Sequence, residues 1–184
     1  MAYLTRGEAV RATESRLGTR RLAESELRKS ASTPRASRFD IFLSHSYEDA
    51  EVIAGVKLLI EAEGLSVYVD WLEDPQMDRS QVTPATAKLL RKRMKHCSYL
   101  LYASSRSSSS SKWMPWELGF FDGRRPGKVG ILPIVATPGA PFYGVEYLGL
   151  YPVVERIAFR DLGTRFGIDI DDTHGQALKS LVRS

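Results

Sequence analysis

The residues of this chain whose types and spacing could do chemistry lie between positions 111 and 119. Trp113 and Glu117 are four residues apart, so both side chains share one face if the segment is helical. A carboxylate in such a position can stabilise positive charge at the anomeric carbon of a sugar, and an indole ring beside it can exclude water. A structural role explains the same residues, with Trp113 and Trp116 in the core and Glu117 solvated or capping the helix. The spacing alone favours the structural role, because short motifs often match by chance.

Other chemical motifs are missing from the sequence. It contains no glycine-rich dinucleotide fingerprint after its first strand, no P-loop and no H-E-x-x-H zinc motif. The three histidines, His45, His96 and His174, are far apart, and Cys97 is the single cysteine. Because metal sites and disulfides need ligands or cysteines at suitable spacing, we expect no metal, no intrachain disulfide and no bound cofactor.

The elements that must position these residues follow an alternating pattern. Residues 39–43 and 65–70 are short apolar runs typical of buried strands. Between them, apolar residues recur at helical spacing from Val52 to Ile60 and stop before Gly64, a typical residue just after a helix. This succession of strand, helix and strand has the size of a βαβ unit.

The alternation continues toward the carboxyl terminus. Thr83 and Pro84 are typical of a helix start, and the helix they predict runs to about His96. Three more strands, the last of them at an edge, and a final helix are predicted over residues 98–103, 129–135, 153–159 and 174–183. The pattern therefore predicts an α/β fold with a central parallel sheet of about five strands and helices on both faces.

The loops at the carboxyl ends of the strands are the expected binding rim, because ligands bind there in parallel sheets. Three loops meet at this rim, over residues 44–48, 70–82 and 104–112. Asp70 could contact a substrate or cap its loop, and Trp71 could line a pocket or shield the sheet edge. The serine-rich loop after the third strand could bind phosphates, but its composition favours a flexible loop.

The positive charge is concentrated at the amino-terminal end. The formal net charge is +4, yet residues 1–38 alone hold nine basic and four acidic residues, a net charge of +5. We therefore predict a basic helical arm and linker over residues 1–38 and a nearly neutral domain over residues 39–184. The arm has few apolar positions, so we expect its helix to pack weakly. Nucleic-acid binding through this arm is an alternative, but motifs that read RNA or DNA are missing from the sequence.

The sequence also bears on location. No apolar run approaches the roughly 20 residues of a spanning helix, and the first residues lack the apolar stretch of a secretory signal. A single cysteine suits a reducing compartment. We expect a cytoplasmic protein that does not engage a membrane.

Three segments resemble motifs of TIR domains and occur in the family's order. Residues 39–46, FDIFLSHS, followed by two acidic residues, resemble the first box. Residues 65–70 look like the second strand, and the loop after them looks like the BB loop. The segment over 111–119 matches the W-x-x-x-E segment of TIR enzymes. The resemblance covers about residues 39–160.

This resemblance implies a flavodoxin-like fold and an enzyme that cleaves the nicotinamide–ribose bond of NAD, by hydrolysis or by cyclisation to an ADP-ribose-type signal. The family's catalytic glutamate corresponds to Glu117, and NAD is the substrate rather than a cofactor. In addition to Glu117, we predict that six residues bind NAD: His45, Ser46, Asp70, Trp71, Ser104 and Trp113.

The resemblance also implies partners. Standalone bacterial TIR proteins of the Thoeris type act in antiphage immune signalling, where a nucleotide product activates a separate effector. TIR enzymes often build their site from two neighbouring domains, so self-association is expected. The competing interpretation is a non-catalytic module that acts through TIR–TIR contacts, and the presence of both Trp113 and Glu117 favours the enzyme.

Overall fold

A parallel five-stranded sheet forms the centre of the molecule. The computed structural model describes residues 2–17, 38–75, 83–142, 144–171 and 174–184. The strands of the sheet are Leu4–Thr5 (β1), Phe39–Ser44 (β2), Val67–Tyr68 (β3), Cys97–Ser104 (β4) and Val129–Val135 (β5). They lie in the order β1-β5-β4-β2-β3, and every neighbouring pair is parallel.

Helices connect the strands of this sheet. The described α-helices are Arg6–Leu17 (α1), Ala50–Glu61 (α2), Asp70–Glu73 (α3), Pro84–Lys95 (α4), Met114–Arg124 (α5) and Leu178–Arg183 (α6). Short 3-10 turns lie at Tyr47–Asp49, Ser108–Ser110 and Glu146–Leu150. None of the described helices combines the length and apolar character needed to cross a membrane.

The sheet buries a separate core on each face. On β2, Ile41 and Leu43 join the core formed with α1 and α2, whereas Phe42 joins the core formed with α4 and α5. On β4, Leu101 faces the first core and Leu100 the second, as the two-residue period of a strand requires. Strands β3, β2, β4 and β5 follow the flavodoxin-like order. The predicted flavodoxin-like α/β fold is confirmed.

The amino-terminal segment belongs to this packing. The predicted helix of the arm is present as α1, but it packs closely on α2 rather than weakly. A Cβ added at Gly55 would lie 1.8 Å from the backbone oxygen of Ala9, so glycine is required at this crossing. Strand β1 pairs with the end of β5, where Leu4 lies opposite Ile134. The division at residue 38 stays a prediction, because residues 18–37 lie outside the described part of the chain.

The carboxyl-terminal part forms a second sheet. The predicted strand 153–159 belongs to this sheet, so its prediction at the edge of the central sheet was wrong. Strands Val154–Phe159 (β6), Gly163–Asp171 (β7) and His174–Ala177 (β8) are antiparallel and lie in the order β6-β7-β8. Gly163, with φ +66, allows the tight turn after β6, so this strand pairs with β7. A single bridge between Val153 and Ile131 connects the segment to β5. The final helix begins at Leu178 rather than 174, because β8 occupies the residues before it.

Candidate active site

The candidate site lies at the carboxyl ends of β2 and β4, where Glu117 of α5 meets the end of β2. These two neighbouring strands mark the point at which the strand order reverses, the usual ligand crevice of such sheets. The hydroxyl of Ser44, the last residue of β2, donates a hydrogen bond of 2.6 Å to Oε2 of Glu117. Both side chains are fully buried. A hydrogen bond to a carboxylate is short and strong, so Ser44 fixes the orientation of Glu117.

Local sequence sets the start of α5. Pro115 stands in the first turn, where a missing backbone donor costs nothing, and the backbone N–H of Met114 donates to Oγ of Ser111 at 3.4 Å. The backbone N–H of Glu117 donates to the oxygen of Trp113 at 2.8 Å. Glu117 therefore lies one helical turn after Trp113, as the spacing predicted.

Trp113 is a core residue in this conformation. Its ring packs edge-on against Trp116, with 5.4 Å between ring centroids, and Trp116 stacks on Phe120. Trp113 is 6% exposed and belongs to the same core as α4 and α5. Both tryptophans thus pack as the structural interpretation required, while Glu117 is buried beside Ser44 rather than solvated.

His45 and Asp70 contact each other. Nδ1 of His45 lies 2.8 Å from the backbone oxygen of Leu43, and Nε2 lies 3.4 Å from Oδ1 of Asp70. The same Oδ1 accepts the backbone N–H of Trp71 at 2.7 Å. Asp70 thus stabilises the first turn of α3, which was the structural alternative for this residue, and it also joins the ends of β2 and β3.

The remaining predicted residues lie at different places on the rim. Ser46 is buried, and its backbone oxygen accepts the N–H of Asp49 at 3.1 Å. Ser104 is buried at the end of β4. Trp71 packs against the core on the α1 and α2 side, whereas Glu117 belongs to a helix of the other face. Nε1 of Trp71 is buried with no hydrogen-bond partner among the described residues. Binding of NAD by these residues stays a prediction.

Sequence reasoning missed a tyrosine pair beside Glu117. Tyr102 lies opposite Ser44 in the β2–β4 pairing. Burial makes the largest contribution to the raised pKa of the Tyr102 hydroxyl. Tyr147, which shares a hydrogen bond with Tyr102, and the charge of Glu117 raise this pKa further. Tyr102 is therefore a neutral hydroxyl at physiological pH. The alternation of β4 already indicated that Tyr102 and Ser104 share a face.

The hydroxyls of the serine-rich loop are used within the protein. Ser105 and Ser107 donate to Oδ2 of Asp49 at 2.5 and 2.7 Å, and the hydroxyls of Ser108 and Ser110 donate to backbone oxygens. Asp49 is buried and also accepts from Arg6 of α1 at 3.3 Å. The loop is therefore fastened to Asp49, and these hydroxyl protons are not directed at a phosphate.

A cleft of about 600 Å³ lies next to this cluster. Arg6 and Arg106 contribute cationic groups, Glu48 an anionic one, and Ile134 and Val135 at the end of β5 an apolar wall. It lies on the α1 and α2 side of the rim.

The described residues hold no group of three or more histidine, cysteine or acidic side chains that could bind a metal ion. Cys97 is buried, and burial raises the pKa of its thiol to about 12. The thiol stays protonated at physiological pH, so Cys97 packs as a small apolar residue rather than acting as a nucleophile.

Comparison with known proteins shows which proteins this chain is similar to. No protein-family model matches the chain. The chain is 55% identical over 119 residues to "Probable 3′ cyclic ADP-D-ribose synthase ThsB′" of Bacillus cereus strain MSX-D12, an alignment that covers 64% of this chain and 61% of that protein. It is 30% identical over 83 residues to "Putative cyclic ADP-D-ribose synthase TIR2" of Cytobacillus dafuensis, covering 45% of this chain and 22% of that protein.

The chain thus spans about three fifths of the length of the first relative and about a fifth of the second. The flavodoxin-like sheet with a W-x-x-x-E helix at its carboxyl edge is the architecture expected of a TIR domain. Both relatives are named as cyclic ADP-D-ribose synthases, and one of them is named TIR2, so the likeness to these proteins agrees with the architecture.

Proposed function

We propose that this chain consumes NAD, cleaving the nicotinamide–ribose bond and closing the remaining ADP-ribose into a cyclic product. The contact between Ser44 and Glu117 carries the proposal, because it holds a carboxylate in one orientation at the ligand crevice of the sheet. The names of both relatives, as cyclic ADP-D-ribose synthases, favour cyclisation over hydrolysis.

The proposed reaction begins with departure of nicotinamide. The bond between C1 of the ribose and the ring nitrogen breaks, its electron pair neutralises the pyridinium, and positive charge remains on the ribosyl group. The Glu117 carboxylate stabilises this oxocarbenium-like centre. A nucleophile on the same ADP-ribose then bonds to C1 and loses its proton, which closes the ring. Capture by water instead would give linear ADP-ribose.

The other predicted residues have supporting roles in this proposal. We propose that Trp113, a core residue one helical turn before Glu117, supports this helix, and that Ser46, just after β2, and Ser104, the last residue of β4, bind NAD. Trp71 packs on the other face of the sheet and is the least supported of the predicted set. NAD is the substrate, and the proposal needs no further cofactor.

We further propose that the protein self-associates and works in bacterial antiphage signalling in the cytoplasm, where its nucleotide product activates a separate effector. Exposed apolar side chains support self-association: Leu150 is 79% exposed and Tyr47 is 68% exposed. Exposed apolar side chains mark a protein interface where they lie together in one patch. The single buried thiol of Cys97 suits a reducing compartment.

The deciding experiment is incubation of the purified full chain with NAD, followed by mass identification of the products. We expect release of nicotinamide and a product with the mass of ADP-ribose less one water. Glu117→Gln should abolish both, whereas Glu14→Gln, an exposed carboxylate on α1, should leave them unchanged. Undiminished turnover by Glu117→Gln would remove the catalytic role of this residue, and linear ADP-ribose alone would replace cyclisation by hydrolysis.

The second candidate is a non-catalytic TIR module. Complete burial of Glu117 is also what a structural carboxylate shows, and the exposed Leu150 and Tyr47 fit a protein interface. Light scattering on the same samples separates the two candidates. Self-association without nicotinamide release would favour the module, and self-association that Leu150→Asp weakens together with turnover would favour an enzyme assembled from several chains.

A further inference from the structure

We propose that His45 is a positioning residue of this site, held as an imidazolium by Asp70 and acting on Glu117 through Ser44. The kinetic part of this inference rests on the proposed function. The protonation state of His45 does not, so the two can fail separately.

The partners of the His45 ring determine where its protons lie. Nδ1 lies 2.8 Å from the backbone oxygen of Leu43. A carbonyl oxygen only accepts, so Nδ1 carries a proton. Nε2 lies 3.4 Å from Oδ1 of Asp70, in the geometry of an ion pair rather than of a hydrogen bond. A neutral ring with its proton on Nδ1 would place the negative end of its dipole, at Nε2, beside this carboxylate, which is repulsive. We therefore assign a second proton to the pair.

The surroundings place this second proton on the ring. Oδ1 of Asp70 accepts the backbone N–H of Trp71 at 2.7 Å, so this oxygen acts as an acceptor. The carbonyl oxygen of Leu43 favours the charged ring. The two side chains are 1% and 2% exposed, so their attraction is hardly screened by water. His45 and Asp70 thus form a buried imidazolium–carboxylate pair.

This pair reaches Glu117 through the backbone of Ser44. The hydrogen bond from His45 to Leu43 spans Ser44 and holds the peptide groups on both sides of it. Asp70 is the first residue of α3, so its contact with the ring connects the turn after β2 to this helix. The turn cannot rotate without separating the two charges. The direction of the Ser44 hydroxyl, and with it the orientation of the Glu117 carboxylate, follows from the position of His45.

Kinetics distinguish this role from direct contact with substrate. Burial does not, because Glu117 is as fully buried as His45 and Asp70. Loss of a residue that only binds substrate raises KM, whereas loss of a residue that orients the catalytic group lowers kcat. The two roles therefore make different kinetic predictions.

The protonation state is tested by NMR on the full chain labelled with nitrogen-15 in its histidines, without substrate. The ring signals of His45 are those missing from His45→Gln. At pH 7 we expect both nitrogens to be protonated in the wild type. In Asp70→Asn we expect an unprotonated Nε2, because the amide N–H₂ can donate to its lone pair. An unprotonated Nε2 in the wild type, or no change in Asp70→Asn, would overturn the pair.

The link to Glu117 is tested by a double-mutant cycle on the initial rate of NAD consumption. A misplacement of about 1 Å at a catalytic group costs up to about 100-fold in rate, so we expect His45→Gln to lower kcat by about 10- to 100-fold with little change in KM. In a Ser44→Ala background the same substitution should cost almost nothing more, because both act through one contact. Independent, multiplying losses would contradict the proposed route, and a raised KM at unchanged kcat would indicate direct binding.

His96→Gln is the matched control. His96 also directs Nδ1 at a backbone oxygen, that of Lys92 at 2.8 Å, but it is exposed and lies at the opposite end of β4. We expect wild-type kinetics from this variant. Thermal unfolding monitors the fold of each variant, and His45→Asn, which retains a donor toward Leu43, replaces His45→Gln if the latter unfolds. A wild type that releases no nicotinamide would count against the proposed function, and the His45 spectrum then decides the ion pair on its own.

Discussion

The guanidinium of Arg93 binds the carboxylate of Asp74 through two hydrogen bonds of 2.7 Å, from Nε to Oδ2 and from Nη2 to Oδ1. Asp74 is 1% exposed, and its Oδ2 also accepts from the hydroxyl of Tyr68 at 2.8 Å. The hydrogen bonds to Asp74 raise the pKa of Arg93. The pair joins α4 to the chain just after α3, and so it fixes the start of the loop that follows β3.

Replacement of Arg93 by alanine should destabilise the protein strongly. It would leave the Asp74 carboxylate buried without its two hydrogen bonds from the guanidinium, and breaking a buried pair in this way costs about 3 kcal/mol or more. Urea denaturation measures the loss. Arg160→Ala, an exposed arginine in the β6–β7 turn, is the control. If the two variants lost equal stability, the pair would not be a significant source of stability.

Gly55 should tolerate no side chain. Its substitution by alanine would place the new Cβ 1.8 Å from the oxygen of Ala9, so α1 must move away from α2. Overpacking of this kind costs about 1–3 kcal/mol, which outweighs the 0.5–1 kcal/mol or so by which alanine favours a helix. Gly123→Ala, on α5 with nothing within 4 Å of the new Cβ, isolates that helix preference and should be neutral or stabilising. Thermal unfolding of both variants separates the two effects, and equal melting temperatures would refute close packing of the amino-terminal helix.

The buried tyrosines should make stability fall at alkaline pH. Burial raises the pKa of Tyr99 from 10.0 to about 12. The folded state therefore holds this proton more tightly than the unfolded state, and the resulting stability is complete below pH 10 and is lost as the pH rises toward 12. The slope for one such group is about 1.4 kcal/mol per pH unit. Urea denaturation from pH 9 to 11.5 should show a shallower decline for Tyr99→Phe than for the wild type, and parallel curves would exclude this proton as the cause.

The parts of the fold that could be predicted from sequence are those fixed by local patterns. The apolar run of β2, the cap at Thr83 and Pro115 in the first turn of α5 each set their own element, and the structure has all three. Strand β1 has two residues, too few for a period, and its partner Ile134 is 130 positions away. The alternation of β6 is equally compatible with both sheets. Pairing with β7, a non-local property, decides between them.

The candidate site could likewise be predicted only in part from local sequence patterns. The carboxyl-edge rule predicted the loops that meet there, and the resemblance pointed to Glu117. The residue that holds Glu117 was missed: Ser44 is 73 positions away, and no local pattern joins them. His45 and Asp70 were predicted as separate substrate contacts, but the structure shows that they contact each other. Side-chain pairing across strands depends on register, which a single sequence specifies only through tertiary contacts.

Tyr102 should support turnover through its hydroxyl. It lies opposite Ser44, shares a hydrogen bond with Tyr147 and is close enough to Glu117 for the carboxylate to raise its pKa. Since it stays neutral, it acts by hydrogen bonding, and a neutral hydrogen bond is worth about 0.5–1.5 kcal/mol, a factor of about 2–12 in rate.

We therefore expect Tyr102→Phe to lower kcat for NAD by about 3- to 10-fold. Because the Tyr102 hydroxyl stays protonated, the pH dependence of kcat below pH 9 should stay the same. Tyr151→Phe loses a comparable hydroxyl contact, a hydrogen bond of 3.1 Å to Asp122 farther along α5, and should keep wild-type kcat. If Tyr151→Phe lost as much activity, the effect would come from general loosening of α5. If Tyr102→Phe were fully active, the tyrosine pair would serve packing alone, and the electrostatics of Glu117 would depend on Ser44 and the His45 pair.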